Sequence, residues 1–211
     1  MIKESVPVDY ADLLHFAEPQ SPGFSIILQR DGVTLASKAV EGYPIHMTKG
    51  YMEMPCTPLQ FMLCLSPDVR GAWDELFIEG TTLQTKCGPR GTADHRYMAF
   101  RSPSPLLSPR DFEVFTSELT AANGTALVRT VSVPAAQQRV GASQSYVRGE
   151  VTLAGFVAVP KGVKGCRVTY VALVDPKGWV PPVLLNMLQS RQLESMIKLR
   201  NYAAKHFHAK L

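Results

Sequence analysis

The stretch DPKGWVPPVLLNMLQSRQ, Asp175 to Gln192, decides how this chain is read. It leads from a β-rich run, past Gly178 and two adjacent prolines, into a very apolar segment. Proline at the first position of a helix costs no hydrogen bond, because that N–H has no partner within the helix. Pro182 therefore predicts a helix start, and the pattern continues to Phe207, a length of roughly 39 Å at a rise of about 1.5 Å per residue. Arg191, Glu194, Lys198, Asn201, Lys205 and His208 recur in steps of three and four, which is one face of a helix. Opposite them lie Leu185, Leu188, Met196, Leu199, Ala203 and Phe207, with Leu184, Leu193, Ile197 and Tyr202 at the edges. Gln192 falls in the middle of this apolar face. Such a face packs on a solid core or roofs a chamber, and in the second case Gln192 touches a ligand or an ordered water.

Upstream of the helix the chain is mostly β. FSIILQRDGVTLASKAV is two strand-like runs around Asp31-Gly32, a hairpin signal, and IHMTKGYMEM continues as a third strand. Asp9 to Phe16 reads as a short helix, with Asp9 as its cap. Thr57 before Pro58 starts another helical region, which breaks at Ser66-Pro67. From Thr81 onward, six strand-like segments alternate with Gly- and Pro-rich turns, a pattern of antiparallel pairing. The fold class is α+β: a sheet of about nine antiparallel strands, which must curl, closed by one long amphipathic helix.

Composition sets the outer limits. With 211 residues the chain suits one domain, taken as 1–211 with its core over about 20–208. A net charge of +4 is mildly basic, compatible with an anionic membrane surface and too weak to argue for nucleic acid. The four cysteines, Cys56, Cys64, Cys87 and Cys166, show no metal-ligand or redox spacing and read as free thiols in a reducing compartment. The start MIKESVPVDYADLL has no apolar signal core, Ile2 stands where myristoylation needs glycine, and no window approaches the ~18–20 apolar residues of a membrane span. The expectation is a cytoplasmic protein, monomeric, in peripheral contact with membranes.

Two further segments give the chamber reading its support. LLSPRDFEVF, Leu106 to Phe115, together with CRVTYVALVDPKGWVPPVLLNML, resembles the StAR-related lipid-transfer (START) domain family. The matching residues are Pro109, Arg110, Asp111 and Phe112, then Asp175, Gly178 and Pro181. GAWDELF resembles the tryptophan-acid segment of that family, and YVRGEVTLAGFVAVP its penultimate strand pair. The resemblance implies a helix-grip fold, a U-shaped antiparallel sheet gripping the C-terminal helix over a hydrophobic tunnel. It implies as function the carriage of one lipid, a sterol, phospholipid or sphingolipid, between membranes. It brings no cofactor and no catalytic residue.

Residue by residue, the expected lipid contacts are Met98, Phe100, Arg101, Leu106, Leu107, Val151, Leu153, Leu185, Leu188, Gln192, Met196 and Leu199. Met98 and Phe100 share a strand face. In YVRGEVTL the alternation puts Val147, Val151 and Leu153 toward the tunnel, and Tyr146, Arg148, Glu150 and Thr152 toward water. SPSPLLSP, Ser102 to Pro109, suits a door loop, since its three prolines limit regular structure. Its Leu106 and Leu107 either tuck into the core or close the tunnel and dip into a bilayer. Arg110, Asp111 and Phe112 are expected to anchor this loop, Arg110 through a carboxylate or carbonyls. Sterol-carrying members of the family place an acid and a base inside the tunnel. Here Thr116 stands at the base position and Arg101 near that of the acid, so the pair is absent or rearranged. Arg101 is instead a candidate for an anionic headgroup, which a guanidinium matches bidentately. The rival readings are a helix-grip enzyme of cyclase or hydrolase type and a lipid-gated interaction module. Neither G-x-S-x-G nor H-E-x-x-H nor a glycine-rich phosphate loop occurs in the sequence.

Overall fold

The computed structural model describes residues 9–43, 45–88, 91–102, 104, 107–141, 143–178 and 181–207, with the side chains of 182–186 outside that set. Helix α1 (Ala11–Ala17) comes first, then strands β1 (Ser25–Arg30), β2 (Val33–Lys38) and β3 (Met47–Met54). Short helices α2 (Pro58–Leu63) and α3 (Pro67–Arg70) follow. The second strand block is β4 (Phe77–Gly88), β5 (Gly91–Phe100), β6 (Arg110–Thr120), β7 (Ala126–Ser132), β8 (Val147–Arg148), β9 (Glu150–Lys161) and β10 (Gly165–Asp175). Helix α4 (Pro182–Phe207) ends the described chain with the bounds expected from the sequence.

The local signals act as their chemistry requires. Asp31 and Gly32 both take positive φ in the β1–β2 turn, which matches a two-residue hairpin between right-twisted strands. Thr57 and Gln60 form a reciprocal capping box at the start of α2, with bonds of 3.3 and 2.9 Å, and Pro58 stands at the first helical position. Tyr10 is the cap residue of α1, and Asp9 Oδ1 accepts from Ala11 N–H at 2.9 Å.

The sheet has ten strands in the order β1-β2-β3-β10-β9-β7-β6-β5-β4, with the two-residue β8 paired parallel to β6. Its main path is antiparallel throughout. The N- and C-terminal strand blocks meet where β3 pairs with β10.

Each face of the sheet has its own apolar cluster. On the outer face, Leu13 of α1 is fully buried with Met47, Leu127, Leu153, Val157, Val171 and Leu173. Gly155 makes that contact possible: a Cβ there would sit 2.2 Å from Val128 O and 3.0 Å from Leu13. Lys49, with no exposed surface, donates from Nζ to Glu18 O at the C-terminus of α1, beneath the rings of Phe24 and Tyr51. Desolvation pulls its pKa down, yet the carbonyl and the two ring faces give the ammonium electron-rich partners.

On the inner face α4 lies against β1, β2 and β3. Leu193, Met196, Leu199 and Ala203 are buried there with Leu35, Met52, Met54 and Val168. Gly50 lets the helix approach, because a Cβ at that position would fall 2.6 Å from Met196 Sδ. Cys56, Cys64 and Cys166 lie in the same cluster as free thiols, Cys64 pushed up to about 12 by burial, while Cys87 is exposed.

Candidate ligand cavity

Between the inner face of the sheet and α4 lies a cavity of about 700 Å³. Its roof is Leu188, Gln189, Gln192, Ser195, Met196 and Leu199 of α4. Val151, Ala154 and Phe156 of β9 and Tyr170, Ala172 and Val174 of β10 form one wall. Met98 and Phe100 of β5 and Phe112 of β6 form another, with Trp73, Leu76 and Leu107 beside them. The three phenylalanines of that corner stack edge to face, Phe100 lying 5.7 Å from Phe77 and 5.9 Å from Phe112.

Most of the residues expected at a ligand line this space: Met98, Phe100, Arg101, Leu107, Val151, Leu188, Gln192, Met196 and Leu199. Leu106 lies outside the described residues, and so does the side chain of Leu185. Leu153 does not face the cavity. It is buried on the outer face under α1. The cause is a β-bulge: Val151 opposes Val174 and Leu153 opposes Leu173, so Thr152 is an extra residue that reverses the alternation. Arg148 also departs from the expectation of a water-facing strand residue. It forms a fork onto Asp111, Nε to Oδ1 at 3.0 Å and Nη2 to Oδ2 at 2.9 Å.

The start of β6 is anchored on both sides of the sheet. Arg110 faces inward and lines the cavity, and its guanidinium donates to three carbonyls, those of Ser108, Pro176 and Lys177. It thereby ties the start of β6 to the chain that launches α4. Asp111 points outward, 1% exposed, into a covered polar network. There Glu113, also 1% exposed, accepts from the backbone N–H of Arg139 and Val140 and meets His95 Nε2 at 2.6 Å. Phe112 packs in the corner beside Phe100. Thr116, at the position of the sterol carriers' base, bonds the Thr130 hydroxyl at 3.1 Å. Arg101 lies at the exposed rim, with Nη1 on the carbonyls of Glu75 and Phe77.

Inside the cavity Arg70, Asp74 and Tyr170, which the sequence did not single out, form a polar pole with the expected Gln192. Arg70 donates from Nε to Asp74 Oδ2 at 3.0 Å, and its guanidinium stands over the rings of Phe100 and Trp73 at 4.9 and 5.3 Å. Trp73 is itself fixed by a 2.9 Å bond from Nε1 to Cys64 O. Tyr170 and Gln192 line the space together. Burial raises the Tyr170 pKa, while the Gln192 carboxamide and the charge of Arg70 act against the rise. This group combines a cation, a carboxylate, a phenol and an amide in a chamber otherwise lined mostly by apolar side chains, the usual plan of a site that orients a mainly hydrophobic ligand.

Comparison with known proteins agrees with this geometry. The START domain model matches residues 29–206. Human START domain-containing protein 10 is 29% identical over 168 residues, which is 78% of this chain and 55% of that protein. The mouse protein of the same name gives the same figures. The chain thus spans about half the length of the curated relatives it matches. Among solved structures, human STARD10 superposes with a TM-score of 0.79 at 26% identity, covering 97% of this chain and 84% of that one. Human StAR-related lipid transfer protein 5 gives 0.82 at 19% identity, covering 94% and 93%, a likeness of fold.

Proposed function

The chain belongs to the START domain family, and from that premise we propose that it takes one lipid into the cavity and carries it between membranes without chemical change. The reading rests on the 700 Å³ chamber under α4, lined mostly by apolar side chains, with Arg70, Asp74, Tyr170 and Gln192 grouped in it. Each acyl methylene moved from water into such a chamber gains about 0.8 kcal/mol, so the walls supply affinity and the pole supplies orientation. The headgroup meets Arg70, Asp74, Tyr170 and Gln192, while the acyl part runs along Leu188, Met196, Leu199, Met98 and Phe100. A phosphate is the headgroup element that Arg70 suits best, because a guanidinium offers it a forked pair of donors.

Carriage rather than catalysis is favoured by the pairing of Arg70 with Asp74, which holds the cation of the site as a neutral pair. Leu107, Arg101 and Arg191 line the cavity, with both arginines exposed, and this basic side is the mouth proposed to meet a membrane surface. No helix among the described residues is long and apolar enough to cross a membrane. The proposed working form is a monomer in the cytoplasm with peripheral membrane contact.

The test is transfer of fluorescent phosphatidylcholine, phosphatidylethanolamine, ceramide and sterol from donor to acceptor vesicles. At least one of them should move faster with protein than without. Arg70→Met should slow phospholipid transfer by about tenfold or more, the loss of one charged hydrogen bond. No acceleration of any of the four would reject carriage, and turnover of a lipid by pure protein would reject the non-enzymatic reading.

A further inference from the structure

The segment between β5 and β6 contains three serine–proline steps, at Ser102, Ser104 and Ser108. The fold separates them by access. Ser104 is buried, Ser102 is half-buried on the cavity wall, and Ser108 is exposed. Ser108 and Pro109 lie in irregular chain just before β6, and proline holds the residue before it extended. An exposed serine in extended chain, followed by proline, is the form in which a proline-directed kinase takes its substrate.

The second observation is Arg110, two residues on. It is 8% exposed, and among the described residues it has three carbonyl partners and no carboxylate partner. A buried guanidinium held by neutral oxygens alone is a cation without a counter-ion, and burial accordingly lowers its pKa. Its Nη1 already lies 2.5 Å from the Ser108 carbonyl oxygen, so a group on the Ser108 side chain is within its reach.

We propose that Ser108 is a phosphorylation site for a proline-directed serine kinase, and that its phosphate takes Arg110 as counter-ion. In the reaction the γ-phosphoryl group of ATP moves to Ser108 Oγ, the hydroxyl proton leaves, and ADP departs. The product carries nearly two negative charges and three strong acceptor oxygens. A phosphate offers the guanidinium a full opposite charge and a forked pair of acceptors, which neutral carbonyls lack, so the guanidinium turns from Pro176 and Lys177 to the phosphate. Those two carbonyls belong to the chain that launches α4. Releasing them loosens the connector between β10 and the cavity roof, and thereby the mouth. Only this last consequence rests on the carrier reading.

The experiment treats the intact chain with a purified proline-directed serine kinase and ATP, maps the phosphate by tandem mass spectrometry, and follows hydrogen exchange at Lys177. One phosphate should appear on Ser108 and none on Ser108→Ala. Exchange at Lys177, whose N–H is held by Asp175 Oδ1, should rise about tenfold as the connector opens more often. Phosphate absent from Ser108, or present there with unchanged exchange, would overturn the proposal. A chain that is phosphorylated and loosened but carries no lipid would sink the carrier reading and leave this one standing.

Discussion

Leu188→Asp should leave the protein folded and unable to hold lipid. Leu188 is half-buried and lines the cavity from the roof, so an aspartate there can still reach water while the chamber is empty. Once a lipid fills the chamber, the carboxylate faces acyl chain and loses that water. An ionised group cannot enter such surroundings unpaired, and shifting its pKa to neutralise it also costs free energy. Lipid loading should fall by about 100-fold, the equivalent of nearly 3 kcal/mol, with the melting temperature within a few degrees of wild type. Leu188→Met, which conserves volume and polarity, should load normally. Normal loading by Leu188→Asp would mean that this face of α4 covers no lipid.

The largest effect on stability should come from Asp111→Ala. Asp111 is 1% exposed and holds both arms of the Arg148 fork. Removing it breaks the fork and leaves the mostly buried guanidinium only Glu113 Oε2, at 3.6 Å, as a carboxylate partner, at a cost of roughly 3–5 kcal/mol. In a chain of this size that corresponds to a fall in melting temperature of roughly 6–20 °C. The neighbouring Glu113 gives the same network an acid limit. Burial would raise its pKa, but the N–H groups of Arg139 and Val140 together with His95 lower it below the ordinary 4.5. A depressed carboxyl contributes stability only while ionised. Its share is therefore complete above 4.5 and is lost as pH falls through the lower folded value. Calorimetry of Asp111→Ala at neutral pH, and of wild type between pH 6 and about pH 3, checks both points. A melting temperature within about 2 °C of wild type for Asp111→Ala would show that the fork bears no net load.

The terminal helix was legible because its signals are local: a proline start, a three-four polar rhythm, and an apolar face that the structure lays on the inner cluster. The hairpins were legible for the same reason. Leu153 was misread because strand alternation assumes an unbroken register, and the bulge at Thr152 has no local signature in YVRGEVTL. Of the polar pole only Gln192 was expected, and the rest was missed for a different reason. Arg70, Asp74, Tyr170 and Gln192 come from α3 and the turn after it, from β10 and from α4, and only the folded sheet brings them together. Tyr170 did carry a partial signal, since it shares its strand face with Val168 and Ala172. Nothing in the sequence distinguished that face from the outer one, where Val171 and Leu173 are equally apolar.

The function proposed for this chain requires a chamber beneath α4 that holds one lipid. Native mass spectrometry addresses it most directly, applied to the purified chain after incubation with vesicles of mixed phospholipid, ceramide and sterol. The wild-type spectrum should show the chain plus the mass of a single lipid, and Leu188→Asp should show the bare chain. A folded wild-type protein that emerges from the same vesicles with no lipid bound would contradict the account.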